Sequence, residues 1–184
     1  MRRIITPADP GAAALDALKQ WLAISTHTDD VALVTLLHAA IDMCEGFTGT
    51  IPLSLTAEET LPIRNIWHCL NARPVHAIIG ADVINASGNR TPLPPDAYDL
   101  ELDGDGTGRV RITTSDDGGR IAIRYIAGLA AEWAEVPEAL RHGIIRLAAQ
   151  LFRERDVEGE TSASRVPPAA VAALWQPWRR LRVA

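Results

Sequence analysis

Apolar residues recur at helical spacing in two long segments that lie far apart along the chain. Near residues 29–48 the apolar positions cover most of the helix circumference, so this helix must be covered on several sides. Near residues 137–156 the apolar positions form one seam. The first segment has one narrow polar stripe, formed by Thr35, His38, Asp42 and Glu45. The apolar seam of the second segment is formed by Leu140, Ile144, Leu147 and Leu151. The pattern predicts two core helices.

Two shorter helices are predicted beside these. Asp9-Pro10 favours a helix start, because aspartate can cap the first turn and proline suits the first helical position. Near the end of the chain Pro167-Pro168 favours another start, and Pro177 stops that helix because proline cannot donate a backbone hydrogen bond.

Between the two helical groups the period changes to that of β-strands. Residues 75–84 read as a strand, and residues 109–113 and 120–126 alternate between apolar and polar. Residues 116–119, Asp-Asp-Gly-Gly, are typical of a hairpin turn between the last two strands. The pattern predicts a small antiparallel sheet of five or six strands.

The sequence therefore predicts an α+β fold. We expect one domain over residues 1–184, with a helical core of three to four helices at about 10–48 and 137–180. A small antiparallel β region at about 50–128 is inserted between them. The 47% apolar composition is enough to build a core.

Charge and hydropathy restrict the partners. The formal net charge of −5 argues against tight wrapping of nucleic acid, because phosphate contacts need a basic surface. It does not exclude a passage through which DNA slides. No run of eighteen or more apolar residues occurs, so no membrane partner is expected. The start, MRRIITPADP, lacks the apolar stretch of a signal peptide.

Candidate metal sites are weak. Residues 99–106, DLELDGDG, resemble the start of a calcium loop, but Val110 and Thr114 stand where the two registers need a glutamate. The alternative is an acidic strand followed by a glycine-rich turn. Four further potential ligands have spacings that match no zinc signature: Cys44, His68, Cys69 and His76. No metal and no cofactor are predicted, and Cys44 is expected to be a buried thiol.

Candidate catalytic residues are lacking as well. No serine or cysteine lies in a G-x-S-x-G turn, and neither GxGxxG nor GxxxxGK occurs. Glu132, Glu135 and Glu138 cluster near a helix start, where carboxylates favour the positive end of the helix dipole. We therefore predict no catalytic site and no enzymatic activity.

The tail after Arg165 contains no acidic residue and combines aromatic with basic side chains, the types most enriched in binding hot spots. Its candidate docking residues are Trp175, Trp178, Arg179, Arg180, Leu181 and Arg182. Two interpretations stay open. Either this tail is poorly ordered until it docks on a partner, so that truncation before Val166 leaves the fold intact, or both tryptophans fold back onto the core.

Three stretches together resemble the phage head–tail connector (adaptor) family, including the connectors of gene transfer agents. The first is a short helix, an acidic break and a long helix over residues 14–49, ALDALKQWLAISTHTDDVALVTLLHAAIDMCEGFTG. The second is a strand leading into a helix over residues 121–156, IAIRYIAGLAAEWAEVPEALRHGIIRLAAQLFRERD. The third is residues 166–184, VPPAAVAALWQPWRRLRVA. They cover about half of the chain.

The resemblance implies a phage or phage-like particle, assembled from proteins made in the bacterial cytoplasm. It implies a homo-oligomeric, typically dodecameric, ring beneath the portal that joins it to the stopper on the tail side. The ring would form part of the DNA channel, without sequence-specific binding of DNA. By the same resemblance, residues 166–184 would reach the portal. The large β region departs from the most compact, mainly helical members.

Two other classes of function remain open at this stage. A particle-associated hydrolase or protease would need acid/base carboxylates in a cleft or a metal set. A small regulatory binding module that reads DNA would need a basic recognition helix.

Overall fold

The computed structural model describes residues 2–113, 119–155 and 167–179. The chain divides into two compact units. The β unit consists of Met1–Ala8 and Ser54–Gly128, and the helical unit consists of Asp9–Leu53 and Leu129–Ala184. The assignment of residues 1–184 to one connector domain stays a prediction.

Four α-helices make up the helical unit within the described residues: α1 (Gly11–Leu22), α2 (Asp30–Thr48), α3 (Glu138–Glu154) and α4 (Ala169–Trp175). All four were predicted to within a few residues. Residues at the helix ends account for part of this agreement. Asp9 Oδ1 accepts a hydrogen bond from the backbone of Gly11 at 2.9 Å, and Gly49 ends α2 with φ of 72°, a conformation that favours glycine.

Helix α2 packs mainly against α3 in the helical unit. Its completely buried residues, Leu33, Leu37, Ala40 and Cys44, lie along one face of the helix, and Val31 is 83% exposed. Within one chain only one face of α2 is therefore fully covered, and not the several sides that the sequence pattern predicts. By length and composition alone α2 could also cross a membrane. In the helical unit its buried face packs against α1, α3 and α4.

An ion pair connects the first two helices. The side chain of Lys19 on α1 is 10% exposed, and its Nζ lies 2.7 Å from Oδ1 of Asp30 at the start of α2. His27 Nδ1 lies 2.8 Å from the other carboxylate oxygen. The hydrogen bond from Lys19, followed by that from His27, lowers the pKa of Asp30. The only lysine of the chain therefore has a structural role.

The β unit contains eight strands in the described part of the chain: β1 (Arg2–Thr6), β2 (Leu55–Pro62), β3 (His68–Cys69), β4 (Val75–Ile84), β5 (Arg90–Pro92), β6 (Tyr98–Leu102), β7 (Gly108–Ile112) and β8 (Arg120–Ala127). They form a five-stranded sheet in the order β1-β2-β8-β4-β5 and a three-stranded sheet in the order β3-β7-β6. All strand pairs in both sheets are antiparallel. The predicted α+β class and antiparallel β region are confirmed.

Two details of the predicted sheet are wrong. The predicted five or six strands are fewer than the eight in the described residues, and the β region predicted at about 50–128 left out β1. The very short β3 and β5 have two or three residues and show no period. The predicted hairpin between β7 and β8 does not form, because β7 pairs with β3 and β6 while β8 pairs with β2 and β4. The turn residues 114–118 lie outside the described residues.

Strand β8 lies at the centre of the larger sheet. Ile121, Ile123 and Tyr125, at alternate positions of the strand, are completely buried, and so is Ala122 between the two isoleucines. A strand that is buried on both faces lies inside a sheet, with a paired strand on each edge. For β8 these strands are β2 and β4, so its pairing was not decided by the local turn signal before it.

Candidate docking site

The predicted docking segment begins inside the helical unit and not on its surface. Trp175, the last residue of α4, is completely buried. Its indole Nε1 donates a 3.4 Å hydrogen bond to the backbone carbonyl of Leu140 on α3, and its ring centroid lies 6.1 Å from that of Phe47 on α2. Trp175 is therefore held by contacts within its own unit.

A glycine makes room for this side chain. A β-carbon on Gly143 of α3 would lie 2.1 Å from Nε1 of Trp175, far inside contact distance. Glycine in the middle of a helix is unfavourable by about 1 kcal/mol relative to alanine. The close approach of the indole explains why this position has no side chain.

The next residues of the segment reach the surface. A 3₁₀ turn over Gln176–Trp178 follows α4, with Trp178 half-buried and Arg179 exposed. The guanidinium carbon of Arg179 lies 5.4 Å from the ring centroid of Phe47, within cation–π distance. The predicted docking residues Arg180, Leu181 and Arg182 lie outside the described residues.

The structure corrects one expectation for this segment. The expectation that the core ends before Val166 is wrong, because Val171 is 2% exposed, Trp175 is completely buried, and α4 packs on α3. Burying the α4 side chains stabilises the unit, since each large apolar side chain contributes roughly 1.5–3 kcal/mol when fully buried. The interpretation that the tryptophans fold back onto the core describes Trp175, whereas Trp178 and Arg179 remain available for a partner.

A groove of about 300 Å³ lies between α1, α3 and α4 of the same unit. Its apolar wall includes Trp21, which is 45% exposed and makes an edge-on contact with His142 at 5.3 Å between ring centroids. The full lining is Trp21, Arg146, Gln150, Arg153, Glu154, Pro168, Ala170 and Val171. Such a lining suits the burial of a side chain, and it offers a single carboxylate.

Acidic residues of β6 and of the turn that follows it pair with arginines on β7. Arg111 Nη2 lies 2.6 Å from Oδ2 of Asp99, and Arg109 Nη2 lies 2.7 Å from Oδ2 of Asp103. Arg109 also reaches Glu101, at 3.5 Å. The segment is thus an acidic strand followed by a turn, the alternative to a calcium loop. Within the described residues no group of three or more His, Cys, Asp or Glu side chains could hold a metal ion.

The other potential ligands are also separated or engaged. Cys44 is buried on α2, and burial raises the pKa of its thiol to about 12. Cys69 is exposed on β3 and belongs to the other unit, with His68 half-buried beside it. The Nε2 atom of His76 hydrogen-bonds to the carbonyl oxygen of Gly128. Cys44 is the buried thiol that the sequence predicts.

The glutamates near the start of α3 have exposed, structural positions. Glu132 precedes a 3₁₀ turn over Trp133–Glu135, and Glu138 lies in the first turn of α3. The carboxylate of Glu138 is 88% exposed and lies 2.8 Å from Nη2 of Arg141, one turn later. Of the three predicted helix-dipole partners only Glu138 lies in the first turn of α3, because Glu132 and Glu135 precede the helix.

Three solved structures of gene transfer agent (GTA) particles contain chains similar to this one. In the neck of an empty GTA particle computed with C6 symmetry the TM-score is 0.79 at 25% identity. In the virion of a native GTA particle the values are 0.76 and 26%, and in the neck of a native GTA particle computed with C12 symmetry they are 0.77 and 25%. Each alignment covers 100% of this chain and 97% of the other. No protein-family model and no curated protein matches.

This chain resembles GTA neck proteins over its whole length. The resemblance to head–tail connectors that the sequence predicts is therefore confirmed. The similarity to these structures also covers the β region, which the most compact, mainly helical connectors lack.

The sequence did not indicate two residues that position the C-terminal segment of this chain. Phe47 contacts both Trp175 and Arg179, and Gly143 receives the indole. A glycine within a strong helical pattern was the available signal, since such a glycine usually has a packing reason. Nothing in the helical period marked Phe47 as different from the other apolar residues of α2.

Proposed function

We propose that this protein is a structural subunit of the neck of a phage-like particle, in which it forms a homo-oligomeric ring. One observation carries the proposal: the whole chain matches a chain of a GTA neck with a TM-score of 0.79. The C6 and C12 symmetries of the similar necks support a ring, and twelve copies would match a dodecameric portal. A ring built from one contact repeated around an axis is closed by its rotation.

In the proposed arrangement the ring lies beneath the portal and joins it to the stopper on the tail side. It lines part of the channel through which DNA leaves. The net charge of −5 supports this, because a strongly basic wall would retain DNA through its phosphates. The role is structural and not enzymatic. In support, the acidic residues of β6 neutralise neighbouring arginines, and the thiol of Cys44 is buried and protonated.

The C-terminal segment is the proposed portal contact. Trp175 anchors α4 in the helical unit, so the chain emerges at a fixed point on the surface. From there Trp178 and Arg179, followed in sequence by Arg180, Leu181 and Arg182, would meet the portal. Aromatic and arginine side chains at an exposed end of a domain are the types that dominate binding energies.

Imaging of intact particles by cryo-electron microscopy tests the proposed location. We expect this protein as one ring between portal and stopper, and crosslinks in the same particles from residues 178–182 to the portal. Deletion of the gene should give DNA-filled heads without tails, and the intact gene supplied in trans should restore the tails. Density and crosslinks that place the protein only in the capsid shell or in the distal tail would overturn the proposal.

A further inference from the structure

In each sheet of the β unit, one of the two edge strands is five residues long. Strand β1 is the outer strand of the five-stranded sheet, and β6 is the outer strand of the three-stranded sheet. Among the described residues β1 pairs only with β2, and β6 pairs only with β7. An outer strand presents a row of backbone donors and acceptors that can template another strand.

Both edges also expose apolar side chains. Ile4 and Ile5 of β1 are 42% and 47% exposed, and Leu100 and Leu102 of β6 are 42% and 48% exposed. These four residues are half of the large apolar side chains that are exposed in the described part of the chain. Soluble proteins usually shorten, charge or cover such edges. Both of these edges carry charges, but the charges are opposite in sign, so each edge repels a copy of itself and not the other edge.

The other two edges carry features that discourage pairing. Strand β5 has three residues and contains Pro92, which cannot donate a backbone hydrogen bond. Strand β3 has two residues. Strands β1 and β6 have five residues each, and their charges are opposite, RRIIT against YDLEL.

We propose that β1 of one subunit pairs with β6 of the next copy of this chain, so that the contact joins neighbours around the ring. This inference rests on the proposed ring. The two surfaces differ, so the contact is heterologous and leaves one β1 and one β6 free on every dimer. Repetition around an axis uses all of them, which is what closure of a ring requires.

The side-chain pattern selects a register. In an antiparallel pair with Ile4 opposite Leu100, Arg3 lies opposite Glu101. The apolar pair and the ion pair then fall on opposite faces of the added strand, because successive side chains alternate. In this register Ile5 lies opposite Asp99. A slip of one residue would bring Ile4 opposite Glu101 and Ile5 opposite Leu100. The slipped register would match Arg2 only with Asp103, which lies beyond β6 and is already 2.7 Å from Arg109, so the first register is preferred.

The ion pairs already present leave Glu101 available. Arg109 lies 2.7 Å from Asp103 but 3.5 Å from Glu101, so its stronger contact is with Asp103. The carboxylate of Glu101 is 49% exposed. A second arginine from a neighbouring copy can therefore approach it without displacing an existing short ion pair.

Cysteine crosslinking in assembled particles tests this contact. The variant combines Ile4→Cys with Leu100→Cys in a Cys69→Ser background, so that the exposed native thiol does not react. Opposing strand positions have the Cα separation that a disulfide needs. We expect oxidation to give a ladder of oligomers on a non-reducing gel. A mixture of the two single variants should stop at dimers, because each subunit then carries only one of the two thiols.

The matched control is Ile5→Cys with Leu100→Cys, which places the two thiols on opposite faces of the strand pair and should reduce the ladder at least tenfold. An equal ladder from this control, or no ladder from the Ile4–Leu100 variant in particles whose neck contains the protein, overturns the strand contact and leaves the neck location intact. Absence of the protein from the neck overturns the proposed function instead.

Discussion

Trp175 rests directly on Gly143, so that α4 packs against α3 through a position without a side chain. The indole is completely buried and reaches the backbone carbonyl of Leu140 with its Nε1 at 3.4 Å. A β-carbon on Gly143 would lie 2.1 Å from the same nitrogen. The exit point of the C-terminal segment is thus set by a glycine thirty-two residues earlier in the chain.

Gly143→Ala should destabilise the helical unit. The new methyl group must displace the indole, and overpacking of this kind costs roughly 1–3 kcal/mol. Gly46→Ala on α2 is the matched control, because a β-carbon there meets no atom within 4 Å. It should leave stability unchanged or raise it by up to about 1 kcal/mol through helix propensity. Urea denaturation followed by circular dichroism measures both, and equal effects would show that the indole does not constrain position 143.

Trp175→Ala and Trp178→Ala should separate folding from docking. Removal of the fully buried Trp175 should cost about 3–5 kcal/mol in the free energy of unfolding. Removal of the half-buried Trp178 should cost less than about 1 kcal/mol. If the proposed portal contact is correct, Trp178→Ala should nevertheless lower the yield of tailed particles. A variant Trp178→Ala that is as unstable as Trp175→Ala would assign both tryptophans to the core.

The helical unit was predictable from sequence because its signals are local. The period of α2, the proline starts and the Gly49 terminus each act within a few residues, and the helices follow them. The sheet pairing was less predictable. The turn signal at residues 116–119 is local, but β8 is paired by its buried residues with strands far away in sequence.

The candidate site was predictable only in its residue types. Tryptophan and arginine near the end of the chain indicate a contact surface, yet the same tryptophan can serve a core. Which tryptophan is buried depends on the space above Gly143, and that space exists only once α3 and α4 have packed. Strand β1 gave no signal, because its residues RRIIT do not alternate, whereas the alternation of acidic and apolar residues in β6 indicated the acidic strand that the structure shows.

The two thiols should differ sharply in reactivity. Burial raises the pKa of Cys44 to about 12, so the nucleophilic thiolate is scarce at neutral pH, whereas Cys69 is exposed. A thiol reagent such as DTNB should modify Cys69 quickly in the native protein and Cys44 only after denaturation. Cys69→Ser should abolish the fast phase and Cys44→Ser should leave it. A fast phase that Cys44→Ser removes would contradict the buried position of that thiol.

Glu58 should make the β unit sensitive to acid. Its carboxylate is 5% exposed and accepts two hydrogen bonds from the guanidinium of Arg90, at 2.6 and 2.8 Å. These bonds lower the pKa of Glu58 in the folded state below its ordinary value. A lowered pKa means that the stabilisation is fully present above the ordinary pKa of glutamate, about 4.3, and is lost as the pH falls through the folded-state pKa.

Glu58→Gln should therefore reduce the free energy of unfolding at pH 7 by about 1–3 kcal/mol and flatten its decrease between about pH 5 and pH 3. Below the folded-state pKa the variant and the original protein should converge, since the carboxyl is then protonated in both states. Glu138→Gln is the matched control, because that carboxylate is 88% exposed and its pair with Arg141 lies at the surface. Its curve should run parallel to that of the original protein. Denaturation in urea across this pH range measures all three, and a Glu58→Gln curve that stays parallel to the original down to pH 3 would show that the Arg90 pair contributes nothing to the acid response.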